Sequence, residues 1–320
     1  MAVVRALVTD WEFDDLEIER SGLAAAGVEL VDAQCRTPEE VVAAVQESGA
    51  RALLVQYAPI DAQVLRSVDV GIVARYGVGV DNVDLEVAAQ VGAIVCNAVG
   101  YGDEEVATHA ASLALAALRS VPFHDRDVRA GGWDYKRGRP MPRVSERTLG
   151  VLGLGRIGQE LVRLLGQFFG RVVAADPFLP EDRWPEAVES CTVAEVLAAA
   201  DVVSLHLPLS DQTRHLIDDD ALATMQPGSI LVNTARGGLV DEDAVVRALD
   251  RGHLSAAALD VLETEPAPAD HPLRTHPRAI VTPHTAWYSD ESERVLRRMA
   301  VANVAAWATG GTLRDVVVGP

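Results

Sequence analysis

Short apolar runs alternate with amphipathic stretches through the first hundred residues, and this alternation limits the possible folds more than any other feature. VVRALVTD (3–10) is a β-branched run, and LEIERSGLAAAG, with helical spacing, follows it. VELVDA, PEEVVAAVQESG, ARALLVQY, VGIVARYG, LEVAAQVG and AIVCNA continue the series. Unbroken apolar runs of this length are strands buried on both faces, and the segments between them are the helices that cover those faces. The chain therefore reads as α/β, with doubly wound parallel sheets. Composition agrees: hydrophobic residues make up 49% but aromatics only 5%, so Ala, Val and Leu must build the interior.

At 320 residues the natural expectation is two domains. GDEEVATHAASLALAALR (102–119) reads as one long helix with an acidic start that suits its dipole. The stretch 124–148, rich in Arg and Gly, has no periodicity and reads as an arm or loop, one able to wrap a partner subunit. Alternation restarts at TLGVLGLG, with strands expected at 148–152, 171–175, 202–206, 229–233, 255–259 and 279–281. Helices are expected at 156–168, 192–199, 241–250 and 290–308. The last helix can return to the first domain, which gives a substrate-binding domain of 1–98 plus 287–320 and a cofactor domain of 99–286.

TLGVLGLGRIGQELVRLL places Gly153, Gly155, Arg156, Ile157 and Gly158 between a strand and an amphipathic helix. A G-x-G-x-x-G spacing alone is weak, and YGVGVDN at 76–82 matches part of it by chance. In the strand–turn–helix context, however, backbone N–H groups at a helix N-terminus face a pyrophosphate. The next strand ends at Asp176, 18 residues after Gly158, where a carboxylate accepts from a ribose hydroxyl and repels a 2′-phosphate. The expected cofactor is NAD.

Three polar residues each follow an expected strand: Arg236 after GSILVNTA, Glu265 in LDVLETEP, and His284 after AIVTP. Ligands of doubly wound sheets bind at the carboxyl ends of the strands. A histidine can give or take the hydroxyl proton of a hydride transfer, a carboxylate can orient it, and a guanidinium can hold a substrate carboxylate. Separately, each has an ordinary reading as surface Arg, loop Glu and packed His.

NTARGGLVDEDAVVRAL, AALDVLETEP and TPHTAWYSDES resemble consecutive blocks of the D-isomer-specific 2-hydroxyacid dehydrogenase family. VLGLGRIGQ, SLHLPLSDQTRHLI and ARYGVGVDNVDL extend the resemblance over about 70 to 307. PHTAWYSDES and RYGVGVDN look nearest to its C-terminal binding protein-like branch. The resemblance implies a Rossmann-type cofactor domain and a flavodoxin-like substrate domain with a cleft between them. It implies His284 as acid/base, Glu265 as its partner and Arg236 as the substrate clamp. It assigns His206, Leu207, Pro208 and Thr213 to the adenosine side of the cofactor, and Thr234, Ala235 and Asp260 to the nicotinamide side. Backbone N–H groups of Tyr76, Gly77, Val78 and Gly79, with Arg75, would meet the substrate carboxylate, and Trp287 would wall the site. Core packing for Trp287, an ion pair for Arg75 and a helix N-cap for Thr213 stand as alternatives.

The expected activity is NAD-dependent interconversion of a small 2-oxo acid and its D-2-hydroxy acid by a homodimer. Phosphoglycerate dehydrogenase or hydroxypyruvate/glyoxylate reductase activity falls within that reading, and an NAD(H)-gated scaffold for partner proteins is the alternative. A phosphorylated substrate is mildly disfavoured, because Trp287 and Tyr76 suggest an apolar pocket. Ending at Pro320, the chain is not expected to carry a C-terminal regulatory domain. A net charge of −19 argues against nucleic acid and anionic membranes as partners. Cys35, Cys96 and Cys191 have no metal-like spacing and suit a reducing compartment, so no metal and a cytoplasmic location are expected.

Overall fold

The computed structural model describes residues 4–138 and 141–319; Arg139 and Pro140 of the expected arm lie outside the described residues. In chain order the first elements are β1 (Val4–Val8), α1 (Glu17–Ala25), β2 (Val28–Asp32), α2 (Pro38–Ser48), β3 (Ala52–Val55), α3 (Ala62–Ser67), β4 (Ile72–Arg75), α4 (Leu85–Val91) and β5 (Ile94–Cys96). There follow α5 (Asp103–Leu118), α6 (Val121–Arg129), β6 (Thr148–Leu152), α7 (Arg156–Leu165), β7 (Arg171–Ala175), β8 (Glu189–Ser190), α8 (Val193–Ala199) and β9 (Val202–Leu205). The last are α9 (Asp219–Thr224), β10 (Ser229–Asn233), α10 (Glu242–Asp250), β11 (Leu254–Leu259), α11 (Pro272–Thr275), β12 (Ala279–Val281), α12 (Asp290–Thr309) and β13 (Val316–Val318). No single helix among the described residues is long and apolar enough to cross a membrane.

The chain divides into two compact units, Met1–Tyr101 with Ser289–Pro320, and Gly102–Tyr288. In the first, the sheet order is β13-β5-β4-β3-β1-β2, parallel except for β13, which pairs antiparallel with β5. Helix α12 belongs to this unit and packs on α1. In the second, seven strands run β12-β11-β10-β9-β6-β7-β8, all parallel. Successive residues of a strand enter opposite cores. On β11, Ala256 and Ala258 face the side of α5 and α7, while Ala257 and Leu259 face the side of α8 and α10. Small side chains let the layers approach closely: Ala107, Ala110, Ala114 and Ala117 of α5 are buried in the same core as Ala256 and Ala258.

Start signals are local. Thr37 and Thr192 each form a capping box with the glutamate three residues on, and Asp61, Asp84, Asp218 and Asp241 cap their helices with a side-chain oxygen. The sequence reading differs from the structure in the arm, which opens with helix α6 rather than a loop. Pro122 in its first turn and an Arg129–Asp125 ion pair favour that helix, but it buries no residue. Helices α9 and α11 and strands β8 and β13 were not expected; each is six residues or shorter.

Candidate active site

Chain order in the second unit reverses between β6 and β9, and such a switch point opens a crevice at the carboxyl ends of the strands. The glycine turn sits there. Gly153 has φ +89, and a Cβ on it would lie 2.4 Å from the His206 carbonyl oxygen. A Cβ on Gly158 would lie 2.2 Å from the Gly153 oxygen, so this glycine lets α7 approach the strand. A Cβ on Gly155 would meet nothing within 4 Å. The space before the N-terminus of α7 is therefore open, as an incoming pyrophosphate requires.

Asp176 is tied to this turn. One carboxylate oxygen accepts from Leu154 N at 2.8 Å and the other from Phe178 N at 3.0 Å, and each keeps a lone pair for a ribose hydroxyl. The Arg156 side chain turns to Asp103 at 2.8 Å, so its backbone N–H is the group left for a phosphate. His206 continues the β6 ladder through its N–H to Leu152 O at 2.7 Å, and its ring meets Ser204 Oγ at 2.8 Å. Desolvation pushes this imidazole down to about 4, so it is neutral at physiological pH. Leu207 is half-buried and Pro208 exposed. The Thr213 hydroxyl gives its one proton to Pro208 O at 2.7 Å and accepts from Ser210 N at 2.8 Å. No helix starts here: Thr213 closes a turn, and of the expected cofactor contact it retains only acceptor capacity.

At the end of β10, Asn233 clamps the loop by accepting from Ala235 N at 3.0 Å and donating to Arg236 O at 2.8 Å. Thr234 between them is buried, and its Oγ1 has no partner among the described residues. An orphaned hydroxyl at a strand's carboxyl end, beside an open glycine turn, fits the polar edge of a dinucleotide.

Three candidate catalytic side chains come together at the ends of β10, β11 and β12. His284 Nδ1 and Glu265 Oε2 are 2.6 Å apart, and Glu265 Oε1 accepts from Leu262 N at 2.8 Å. Burial alone would raise the Glu265 pKa. The His284 hydrogen bond and charge, the Leu262 N–H and the nearby Arg236 guanidinium outweigh it and hold the carboxyl below its ordinary value. Glu265 is thus ionised at neutral pH, and Nδ1–H of His284 donates to it. Arg236 is held by a bond from Nη1 to Ala235 O at 2.7 Å.

Asp260, expected on the nicotinamide side, also builds the His284 turn. It is buried, and its oxygens accept from the Thr282 hydroxyl at 2.5 Å, Thr285 N at 3.0 Å and Ala286 N at 2.8 Å. His284 itself stands at φ +52 and donates its N–H to Asp260 O at 2.8 Å. Sequence reasoning missed Asn233, Thr282 and His109. His109 touches Thr282 across 173 positions, and nothing in the local sequence marks that pairing.

In the first unit the loop after β4 corrects one expectation. Tyr76 N donates to Val55 O at 2.8 Å, so this N–H extends the sheet and is not available to a substrate. Its ring is 2% exposed, edge-on to Phe13 at 5.1 Å, with the hydroxyl 3.1 Å from Glu19 Oε1. Tyr76 is therefore core and walls no pocket. Arg75 bonds Tyr76 O and, at 3.3 Å, Asn82 Oδ1. Gly77 has φ +151, Val78 is exposed, and the Val78 oxygen accepts from Asn97 Nδ2 at 2.7 Å. Gly79 is half-buried. In the second unit Trp287 is half-buried and edge-on to Tyr288 at 5.6 Å. A cavity of about 300 Å³ lined by Phe123, Arg126, Arg137 and Arg278 lies at the start of β12, the opposite end of that strand from His284.

The family profile of the D-isomer specific 2-hydroxyacid dehydrogenase NAD binding domain matches residues 111–286. The chain is 38% identical to a D-3-phosphoglycerate dehydrogenase of Methanocaldococcus jannaschii over 77% of its own length and 47% of that protein's. It is 39% identical to a glyoxylate reductase of Korarchaeum cryptofilum, over 79% of this chain and 77% of the relative. A D-lactate dehydrogenase from Aquifex aeolicus, solved with NAD and lactic acid, superposes with a TM-score of 0.88 at 27% identity, covering 98% of this chain and 99% of that one. The chain spans about half the length of the phosphoglycerate dehydrogenases it matches. It belongs to the D-isomer specific 2-hydroxyacid dehydrogenase family, and the cofactor of its matched domain is NAD.

Proposed function

We propose that the protein is an NAD-dependent oxidoreductase that interconverts a small 2-oxo acid and its D-2-hydroxy acid. The observation that carries this reading is the meeting of Arg236, Glu265 and His284 beyond three adjacent strands of the sheet that bears the glycine turn. NADH, when bound, supplies the hydride to the carbonyl carbon. His284 Nε2 delivers the proton to the carbonyl oxygen, and takes it back in the oxidation. The Glu265 carboxylate fixes the ring through Nδ1. Arg236 pairs with the substrate carboxylate and polarises the adjoining carbonyl. The glycine turn with Arg156, Ile157 and Asp176 receives the dinucleotide, with His206, Leu207, Pro208 and Thr213 on its adenosine side and Thr234, Ala235 and Asp260 on its nicotinamide side.

To the first unit we assign substrate binding, through Arg75 and the N–H groups of Gly77, Val78 and Gly79, and to Trp287 a wall of the site. With Tyr76 in the core, one of the two aromatics that spoke for an apolar pocket drops out. Phosphorylated 2-oxo acids therefore stand beside glyoxylate and hydroxypyruvate as candidate substrates, in keeping with the named relatives. We also propose a homodimer. Helix α6 buries none of its residues, and Val121, Val128, Trp133 and Tyr135 of helix and arm stand exposed, a surface that a second copy would cover. Three free cysteines support a reducing, cytoplasmic setting.

The likeness of PHTAWYSDES and RYGVGVDN to the C-terminal binding protein branch motivates a second reading, an NAD(H)-gated scaffold. The assembled Arg–Glu–His set favours the enzyme. NADH oxidation with a panel of 2-oxo acids, for wild type and His284→Ala, decides between them. One rapid substrate and a variant at least a hundredfold slower that still binds NADH support the enzyme. Tight NADH binding with every substrate slow overturns it.

A further inference from the structure

We propose that His109 is a positioning residue for the acid–base histidine: from helix α5 it braces, through Thr282 and Asp260, the left-handed turn that carries His284. The inference deepens the function proposed above and rests on it. His109 Nε2 lies 3.0 Å from Thr282 Oγ1 and 3.5 Å from Asp260 Oδ1, and its side chain is 24% exposed. Thr282 Oγ1 in turn lies 2.5 Å from the same Asp260 oxygen.

Proton counting gives this chain a direction. The Thr282 hydroxyl donates to Asp260 Oδ1, and a hydroxyl has one proton. The Thr282 proton therefore points at Asp260, and the Thr282 oxygen must accept from His109. That requires the proton of His109 on Nε2. From Asp260 the chain spreads to both sides of His284. Oδ1 also accepts from Thr285 N, Oδ2 accepts from Ala286 N, and the Asp260 carbonyl accepts from His284 N.

His284 stands at φ +52, a conformation that residues with a side chain rarely adopt without outside support. The turn itself is short of support. Only Ala286 within it is buried, while Thr282, His284 and Thr285 are half-buried and Pro283 is exposed. The brace from α5 comes from a separate element of the same unit and reaches the turn at its first residue. Catalytic nitrogens displaced by about 1 Å lose on the order of a hundredfold in rate. A residue outside the Arg236–Glu265–His284 set can therefore still set the rate, by fixing where Nε2 of His284 points.

The test uses the full chain with its histidines labelled with ¹⁵N. The His109 signals are identified by their loss in His109→Gln, and those of His284 by their loss in His284→Gln. Wild type should show the Nε2–H tautomer at His109; the Nδ1–H tautomer overturns the proposal. In His109→Leu the His284 signals should shift or broaden. In His109→Gln, whose amide nitrogen falls near the place of Nε2, they should return. His284 signals unmoved in the leucine variant overturn the brace. With the best 2-oxo acid, kcat should fall about 10- to 100-fold in His109→Leu with KM for NADH changed less than threefold, and recover in His109→Gln. An unchanged kcat in His109→Leu overturns it, as does loss in both variants alike. If wild type reduces no 2-oxo acid, the proposed function fails by itself, and the tautomer and the His284 signals still decide the brace.

Discussion

Replacing His284 by Leu should raise the pKa of Glu265. In the folded protein burial pushes that carboxyl towards its neutral form, and this is the largest single influence on it. The hydrogen bond and charge of His284 oppose burial, helped by Leu262 N–H and Arg236, and the result lies below the ordinary value of 4.5. The leucine variant keeps the burial and loses the strongest opposing partner. A hydrogen bond to a charged group is worth about 1.5–3 kcal/mol, and one pKa unit is about 1.4 kcal/mol. The Glu265 side chain is 34% exposed, so solvent screening discounts this contribution without changing its direction. The assay is a ¹³C-carboxylate NMR titration, with the signal identified by its loss in Glu265→Gln. Wild type should titrate below 4.5 and the variant higher than wild type. A wild-type value at or above the ordinary one, or a variant that does not move, refutes the reasoning. The sign carries into stability. A depressed carboxyl favours the folded state above the unfolded value of 4.5, and that contribution disappears as pH falls through the folded value. Acidification across that window should therefore cost wild type more stability than His284→Leu.

Gly153→Ala should abolish NADH binding by calorimetry and cost about 1–3 kcal/mol in thermal stability, because its Cβ would strike the His206 carbonyl 2.4 Å away at φ +89. Retained NADH affinity would show that the turn yields. Asp176→Ala should weaken NADH binding about tenfold and narrow the preference for NADH over NADPH, since one carboxylate oxygen holds the glycine turn and the charge repels a 2′-phosphate; an unchanged preference in fluorescence titrations contradicts this. Arg297→Met should destabilise the protein by about 3–5 kcal/mol in urea. It leaves Glu19, fully buried, without the guanidinium that reaches its oxygens at 2.9 and 2.7 Å. The double variant with Glu19→Leu should recover most of the loss, and a single variant as stable as wild type would show that the pair does not hold α1 to α12.

What could be read without coordinates follows from one property of parallel sheets. Every strand delivers its carboxyl end to the same edge, so residues just past consecutive strands become neighbours without any knowledge of the loops. Arg236, Glu265 and His284 were found that way, as was Asp176 beyond β7. Residues whose task depends on a partner from a distant element could not be found. Tyr76 beside glycines looks like a loop aromatic, and only Glu19, 57 positions earlier, and Phe13 draw it into the core. Thr213 resembled a cap because a hydroxyl before RHLI is a common start signal, yet the chain turns back to Pro208 before any helix can form. Helix α6 was hard to see because it is nine residues long and four of them are Asp or Arg, and it buries none of its residues. The same rule bears on His109. On an Ala-rich helix a lone histidine carries no periodic signal, and its function becomes visible only when the single proton of Thr282 has to be assigned to one of two neighbours. Local pattern thus locates the groups proposed for the chemistry, whereas a group proposed to aim them is found by accounting for each polar hydrogen in three dimensions.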